Sequence, residues 1–144
     1  MITVDTLQDS DRAAWGRLAA GYKHFYNTPT SEAEYDEAWR RLMAGDGVHA
    51  FAARLDGQLV GFVHYLFHTS IWARDVLYLQ DLFTDETCRG RGVARALIER
   101  VAQVARQRQV ARLYWLTQET NRTARALYDK VATFKGFIRY DLPL

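Results

Sequence analysis

Cysteine is almost absent from this chain: Cys88 is the only one in 144 residues. A lone thiol excludes an intrachain disulfide and a cysteine-built metal cluster. Proline is scarce too, with only Pro29 and Pro143, so little interrupts regular structure through the middle of the chain. No apolar run approaches the ~18 residues that a membrane span needs. The opening Met1-Ile2-Thr3-Val4-Asp5 lacks a basic segment followed by an apolar one, so no secretion signal is expected. The net charge of +2 is too small to argue for nucleic acid. The expectation is a cytoplasmic protein with neither a membrane nor a nucleic-acid partner. What is present fits a globular fold: 49% of residues are hydrophobic and 25% charged. The length suits a single domain over residues 1–144 with one core.

Periodicity divides the chain into alternating elements. Ile2 to Thr6 reads as a strand. Asp9 or Ser10 then caps a helix whose Trp15, Leu18, Ala19 and Tyr22 recur at i, i+3, i+4, i+7. Asn27 to Thr30 breaks it. Ser31 and Glu34 form a capping-box pattern for a second helix, striped by Tyr35, Ala38, Trp39, Leu42 and Met43 and ended by Gly45-Asp46-Gly47. Val48 to Leu55 and Gln58 to Phe67 are β-rich, with Asp56-Gly57 as a two-residue hairpin turn. Val76 to Thr84 is apolar at both parities except for Gln80 and Asp81, so it predicts a central buried strand. Val93, Leu97, Ile98, Val101, Val104 and Ala105 mark a helix. Ala111 to Thr117 is another strand, Ala124, Leu127, Tyr128 and Val131 stripe a last helix, and Phe137 to Leu142 closes as a strand. The order predicts an α/β layered domain with a mixed sheet, and a right-handed parallel crossover between Val76 and Thr117.

The sharpest chemical signal is a buried strand running through Arg89-Gly90-Arg91-Gly92 into a helix. A helix start presents unpaired N–H groups and a positive dipole end. Two glycines let backbone approach an anion closely, and the arginines add charge, which together make a phosphate or pyrophosphate cradle. The same residues also suit a plain strand-to-helix turn with solvated arginines. A nucleoside-triphosphate loop is excluded by the missing G-K-[ST], and a dinucleotide fingerprint fails at Arg95, where its third glycine belongs.

Arg89-x-x-Gly92-x-Ala94 resembles the [QR]-x-x-G-x-[GA] acetyl-CoA loop of the GNAT acetyltransferases. Its surroundings are similar to that family as well. Tyr78-Leu79-Gln80-Asp81-Leu82-Phe83-Thr84 resembles the fourth strand, Val93 to Arg108 the cofactor-facing helix, and Tyr114-Trp115-Leu116-Thr117 the fifth strand. Asn121-x-x-Ala124-x-x-Leu127-Tyr128 is similar to the N-x-x-A-x-x-[LF]-Y helix, and Gly136-Phe137 to the closing G-F. Within the family, the chain resembles the small spermidine/spermine and histone or polyamine branch, with Gln80 where that branch usually has glutamate.

The resemblance implies a three-layer fold whose fourth and fifth strands splay apart around the arm of acetyl-CoA. It implies an N-acetyltransferase in which a neutral amine attacks the thioester directly, without metal or covalent enzyme intermediate. Backbone of Leu82, Phe83 and Thr84 is expected along the cofactor arm, amides of Arg89, Gly90, Arg91, Gly92, Val93, Ala94 and Arg95 on the pyrophosphate, and Asn121 beside the arm. Tyr128 is expected to protonate the departing thiolate. The usual base position is held by Gln80, so the implied catalytic set is Tyr128, Gln80 and Asp81. Alternation predicts that Gln80 and Asp81 point to opposite faces. Glu119 reads as an exposed loop carboxylate, with a base acting through water as the other reading. His64 and His68, four apart on one strand, read as sheet or acceptor-site residues rather than metal ligands. Tyr22, His24, Phe25, Tyr26, Glu32, Glu34, Tyr35 and Asp36 on the first two helices would suit a small cationic amine through cation–π and ion-pair contacts, or simply stripe and cap those helices. The other readings are a protein or peptide lysine acetyltransferase and an acyl-CoA-binding sensor without activity. The apolar closing strand predicts pairing or exchange in a homodimer.

Overall fold

A computed structural model describes residues 1–144. Five strands and four helices follow one another as β1 (Ile2–Asp5), α1 (Arg12–Phe25), α2 (Glu32–Ala44), β2 (His49–Leu55), β3 (Gln58–His68), β4 (Val76–Thr84), α3 (Val93–Gln107), β5 (Leu113–Tyr114) and α4 (Arg122–Val131). The sheet runs in sequence order, antiparallel from β1 to β4 and parallel between β4 and β5. No helix is long and apolar enough to cross a membrane.

Local chemistry sets several boundaries as expected. The Ser31–Glu34 capping box forms at the start of α2, and Gly45 ends it in the left-handed conformation. Asp56 and Gly57 both take positive φ, 51° and 84°, as a tight hairpin turn requires. The α1 start lies slightly later than expected. Residues Asp9–Asp11 form a 3₁₀ turn, and Asp11 turns back to accept the Gln8 N–H and a two-pronged pair from Arg54 on β2 (2.9 and 2.8 Å).

The sheet separates two apolar layers. On one side α3 packs Val93, Leu97, Ile98, Val101 and Ala105 onto Val63, Leu77 and Leu79, and α4 adds Leu127, Tyr128 and Val131. On the other, Trp15, Leu18 and Ala19 of α1 meet Phe62 and Phe83, with Trp39 and Leu42 of α2 behind them. Gly61 makes the contact between layers possible. A Cβ there would sit 2.9 Å from the Phe83 carbonyl and 3.0 Å from Val93, so only glycine lets β3, β4 and the α3 start close together. Arg100 and Arg108 lie over the faces of Phe51 and Phe67 at 4.3 and 4.9 Å, which commits them to aromatic cover.

Two expected strands differ. The strand foreseen over Ala111 to Thr117 is ordered as a ladder only at Leu113–Tyr114, because β5 leaves β4 after Tyr78↔Tyr114 and residues 115–117 have no strand to pair with. The strand foreseen over Phe137 to Leu142 does not form. A ladder needs a partner of comparable length, and the two-residue β5 offers none. Phe137, Ile138, Tyr140 and Leu142 are consequently exposed.

Candidate active site

The early end of the β4–β5 ladder opens the site. From Leu79 to Thr84, β4 keeps β3 on one edge and has no ladder partner on the other. Parallel strands that part in this way leave N–H and C=O groups free to pair with a ligand. Thr84 carries the one buried side-chain polar atom without a hydrogen-bond partner, its hydroxyl. Such an orphan costs about 1–3 kcal/mol unless something polar reaches it.

At the end of β4 the chain passes through Asp85, which accepts the Thr87 N–H at 2.9 Å, and enters the glycine turn. Gly90 and Gly92 take φ of +79° and +83°, with nothing within 4 Å of where a Cβ would be. Gly92 is the N-cap of α3 and has no side chain to cap it, and the N–H groups of Val93, Ala94 and Arg95 find no acceptor in the protein. Arg89, Arg91 and Arg95 are exposed around this helix start. Four features therefore coincide: uncapped amides, positive dipole end, missing Cβ atoms and three guanidinium groups. They fit a pyrophosphate, and the orphan Thr84 hydroxyl beside an open strand edge fits the amide-bearing arm of acetyl-CoA. A cleft of about 370 Å³ continues between α3, β5 and α4, lined among others by Arg95, Arg106, Lys130 and Trp115.

The acid-side residues gather around Tyr26. Asn121 caps α4, its side chain accepting the Ala124 N–H at 3.3 Å, and it also lies beside the Tyr26 hydroxyl. Burial, reinforced by the charge of Asp81, pushes the Tyr26 phenol up, and Asn121 partly offsets this. Tyr128 is half-buried against Trp115, with ring centroids 5.4 Å apart. Burial, with Tyr26 as a smaller contributor, pushes its phenol up to about 12, so Tyr128 holds its proton at neutral pH.

Asp81 is the centre of a polar string on the α1 face. One carboxylate oxygen accepts from the Tyr22 hydroxyl at 2.8 Å, and the other faces His64 Nδ1 at 2.9 Å. His64 Nε2 in turn lies 3.1 Å from the indole nitrogen of Trp15. Burial alone would raise the Asp81 carboxyl, but the hydrogen bonds from His64 and Tyr22, with nearby positive charge from Lys23, outweigh it and hold Asp81 below the usual carboxylate range.

A β-bulge produces this arrangement. His64 pairs with Asp81 and Tyr65 with Leu79, so Gln80 has no partner on β3. The facing of β4 flips across it: Leu77 and Leu79 join the α3 layer, whereas Phe83 joins the α1 layer. Strict alternation from Leu79 would send Asp81 into the α3 layer; the extra residue turns it toward α1 instead. Gln80 itself is exposed on the bulge.

Of the expected acceptor-side residues, Tyr22 bonds Asp81 and Tyr26 lies close enough to feel its charge, whereas Glu32 and Asp36 pair with Arg12 and Glu34 caps α2. His24 and Phe25 are exposed, Glu119 stays on an exposed turn, and His68 meets the Tyr114 hydroxyl at 3.1 Å. Sequence reasoning placed Trp15 only in a core stripe and gave His64 no partner. The i, i+7 spacing of Trp15 and Tyr22 put both on one helix face, but the bulge that brings Asp81 to that face leaves no mark in the residue pattern.

Comparison with known proteins bears on the same elements. The family model for the acetyltransferase (GNAT) family matches residues 12–134. The chain is 34% identical over 139 residues to a D-amino-acid N-acetyltransferase of Saccharomyces cerevisiae, covering 91% of this chain and 84% of that one. It is 32% identical over 95 residues to a thialysine N-epsilon-acetyltransferase of Caenorhabditis elegans, covering 66% and 59%. Among solved structures, a ribosomal-protein-alanine N-acetyltransferase from Brucella melitensis superposes over all of both chains with a TM-score of 0.83 at 23% identity. The enzyme AAC(6')-Iy, solved with a bisubstrate analog of CoA, superposes with a TM-score of 0.85 at 16% identity over 100% of this chain and 99% of its own. The chain belongs to the acetyltransferase (GNAT) family and is an acyl-transferring enzyme.

Proposed function

We propose that this protein transfers the acetyl group of acetyl-CoA to the nitrogen of a small primary amine. The observation that carries the reading is the anionic Asp81, 22% exposed and accepting two hydrogen bonds, with Tyr26 near enough to feel both its charge and the proton-holding Tyr128. Two relatives are named for acting on D-amino acids and on thialysine, which supports a small acceptor here.

Acetyl-CoA, when bound, supplies the activated acyl carbon. Leu82, Phe83 and Thr84 would hold its arm along the open edge of β4, and residues 89–95 its pyrophosphate. Asn121 would flank the arm. The amine must arrive neutral, because an ammonium has no lone pair. As that lone pair is committed to a new bond, the nitrogen becomes positive and sheds a proton. Asp81 stabilises the developing charge and takes up the proton as it is lost. A carboxylate held below its usual range is a weak base toward a free ammonium, so its leverage falls on the transition state. Gln80, exposed on the bulge, offers an amide oxygen but no base. Tyr128 holds the phenolic proton available to the leaving group.

The test is release of free thiol from acetyl-CoA with a panel of amines, wild type beside Tyr128→Phe. Amine-dependent release that drops about tenfold or more in the variant supports both the activity and the acid role. Release unaffected by the substitution removes Tyr128 from that role, and turnover only on a protein lysine overturns the small-amine reading.

We also infer a homodimer working in the cytoplasm. Exposed Phe137, Ile138, Tyr140 and Leu142, on a segment without a strand partner, support pairing with a second copy. Light scattering at micromolar concentration should give twice the chain mass, and removal of residues 133–144 should halve it. A monomeric mass for the full chain counts against it.

A further inference from the structure

We propose that Trp15 is a positioning residue for the acetyl transfer: its buried indole N–H fixes His64 as the neutral imidazole protonated at Nδ1, which keeps Asp81 an uncompensated anion toward the acceptor nitrogen. The proposal rests on the amine acetyltransferase reading.

The direction of every hydrogen bond in the string follows from one fixed end. An indole nitrogen has a hydrogen and no lone pair, so it only donates. Trp15 Nε1 lies 3.1 Å from His64 Nε2, which must therefore carry the lone pair. In a neutral imidazole the proton then sits on Nδ1, and Nδ1 is 2.9 Å from Asp81. The Tyr22 hydroxyl donates to the other oxygen. Asp81 thus receives two bonds and gives none, the pattern of an ionised carboxylate.

A second proton on His64 would have to sit on Nε2, where it would confront the Trp15 N–H. Donor would face donor, in a setting that does not yield. Trp15 is 2% exposed and packed against the rings of Trp39 and Phe62 at 5.2 and 6.5 Å, and His64 lies stacked on Phe62 at 4.4 Å. Without Trp15, a histidine beside a carboxylate is free to become an imidazolium as pH falls. The imidazolium would cancel the charge of Asp81 at the point where the attacking nitrogen turns positive. The other titratable groups that face Asp81 are Tyr22 and Lys23 from α1, Tyr26 just past its end, and Tyr78 from β4 itself.

This gives Trp15 a role that packing does not require. A core tryptophan needs a partner for its N–H, and a backbone carbonyl would serve; a histidine bonded onward to the site carboxylate links that N–H to the chemistry.

Two measurements test it. The first needs no substitution: nitrogen NMR of ¹⁵N-histidine-labelled wild type should show His64 protonated at Nδ1 and bare at Nε2 at pH 7.5. The reverse tautomer, or an imidazolium, overturns the proposal. The second compares Trp15→Phe with wild type in kcat/KM for one amine between pH 5.5 and 8.5, so that the amine's own ionisation cancels in the ratio. The ratio should stay near one at the alkaline end and fall about tenfold by pH 6. A ratio constant across the range makes Trp15 a packing residue only. If Trp15→Phe is poorly folded, His64→Asn should remove the pH dependence of the ratio while lowering kcat/KM at every pH; a ratio that still bends in the histidine range overturns the proposal. Failure of the activity reading is distinguishable, since wild type would then turn over no amine at all whatever the tautomer of His64, and the positioning role would fall with it.

Discussion

The two faces of β4 are covered by different means. Toward α3, Leu77, Leu79 and Leu82 meet Leu97, Ile98 and Val101 in a mainly aliphatic layer, with tyrosine hydroxyls only at its margins. Toward α1, Phe62, Phe83 and Trp15 enclose a string of four polar groups running from Trp15 through His64 and Asp81 to Tyr22. A buried polar group is costly unless bonded, and here each member has its partner. The dry face supplies cohesion and can be read as simple transfer of hydrocarbon from water. The wet face holds charge in place, and its worth is measured in rate rather than in stability. Perturbing each face should therefore move a different observable.

The largest effect is expected on the dry face. Leu97 is fully buried between sheet and α3. Leu97→Ala should cost about 2–5 kcal/mol of unfolding free energy, measured by denaturant titration, with kcat/KM per folded molecule unchanged. A rate loss matching the stability loss would mean that the two faces are not separable. Next comes the wet face. Asp81→Asn keeps the shape but removes the anion, and kcat/KM should fall about a hundredfold, or about 2.7 kcal/mol, with a much smaller change in stability at pH 7. The same variant sharpens the contrast in acid. The folded Asp81 carboxyl lies below its ordinary value of 3.8, so the folded state binds fewer protons than the unfolded one. Its contribution is present above the unfolded value and is lost as pH falls below about 4 through the folded value. Wild type should lose stability across that window more steeply than Asp81→Asn; parallel curves would show that Asp81 is no better solvated as an anion when folded.

The contrast also explains what could be read in advance. Aliphatic periodicity depends only on residue type and spacing, so Val93, Leu97, Ile98 and Val101 announced α3 and its buried face. The glycine turn was legible for the same reason: positive φ at Gly90 and Gly92 follows from composition and position. Gln80 and Asp81 stood out as polar residues in an apolar strand, and Asp81 is the one held in a network. Which layer Asp81 would face could not be read from alternation, because alternation assumes a register, and register is a property of two strands. The bulge opposite His64 and Tyr65 depends on how β3 and β4 meet. The short β5 has the same origin: Trp115, Leu116 and Thr117 carry a strand-like pattern but have no strand beside them. The closing segment shows the limit from the other side, since an apolar pattern without a partner in the chain yields exposed side chains.

The smallest expected effect separates the glycine turn from both faces. At Gly92 a Cβ would meet nothing within 4 Å, so Gly92→Ala introduces no clash. What it introduces is the cost of holding alanine at a φ of +83°, about 1–2 kcal/mol. Because Gly92 is the N-cap of α3, relief of that strain would reorient the free N–H groups of Val93, Ala94 and Arg95. Two outcomes are distinct in calorimetry with acetyl-CoA. If the loop keeps its conformation, stability falls by about that amount and affinity is unchanged. If the loop relaxes, stability is largely retained and affinity drops about tenfold, the equivalent of 1.4 kcal/mol. The second outcome is expected, since an exposed turn relaxes more easily than a packed helix. It would show that the cradle is maintained by backbone conformation at one residue, independent of the aliphatic layer beneath α3 and of the polar string across the sheet.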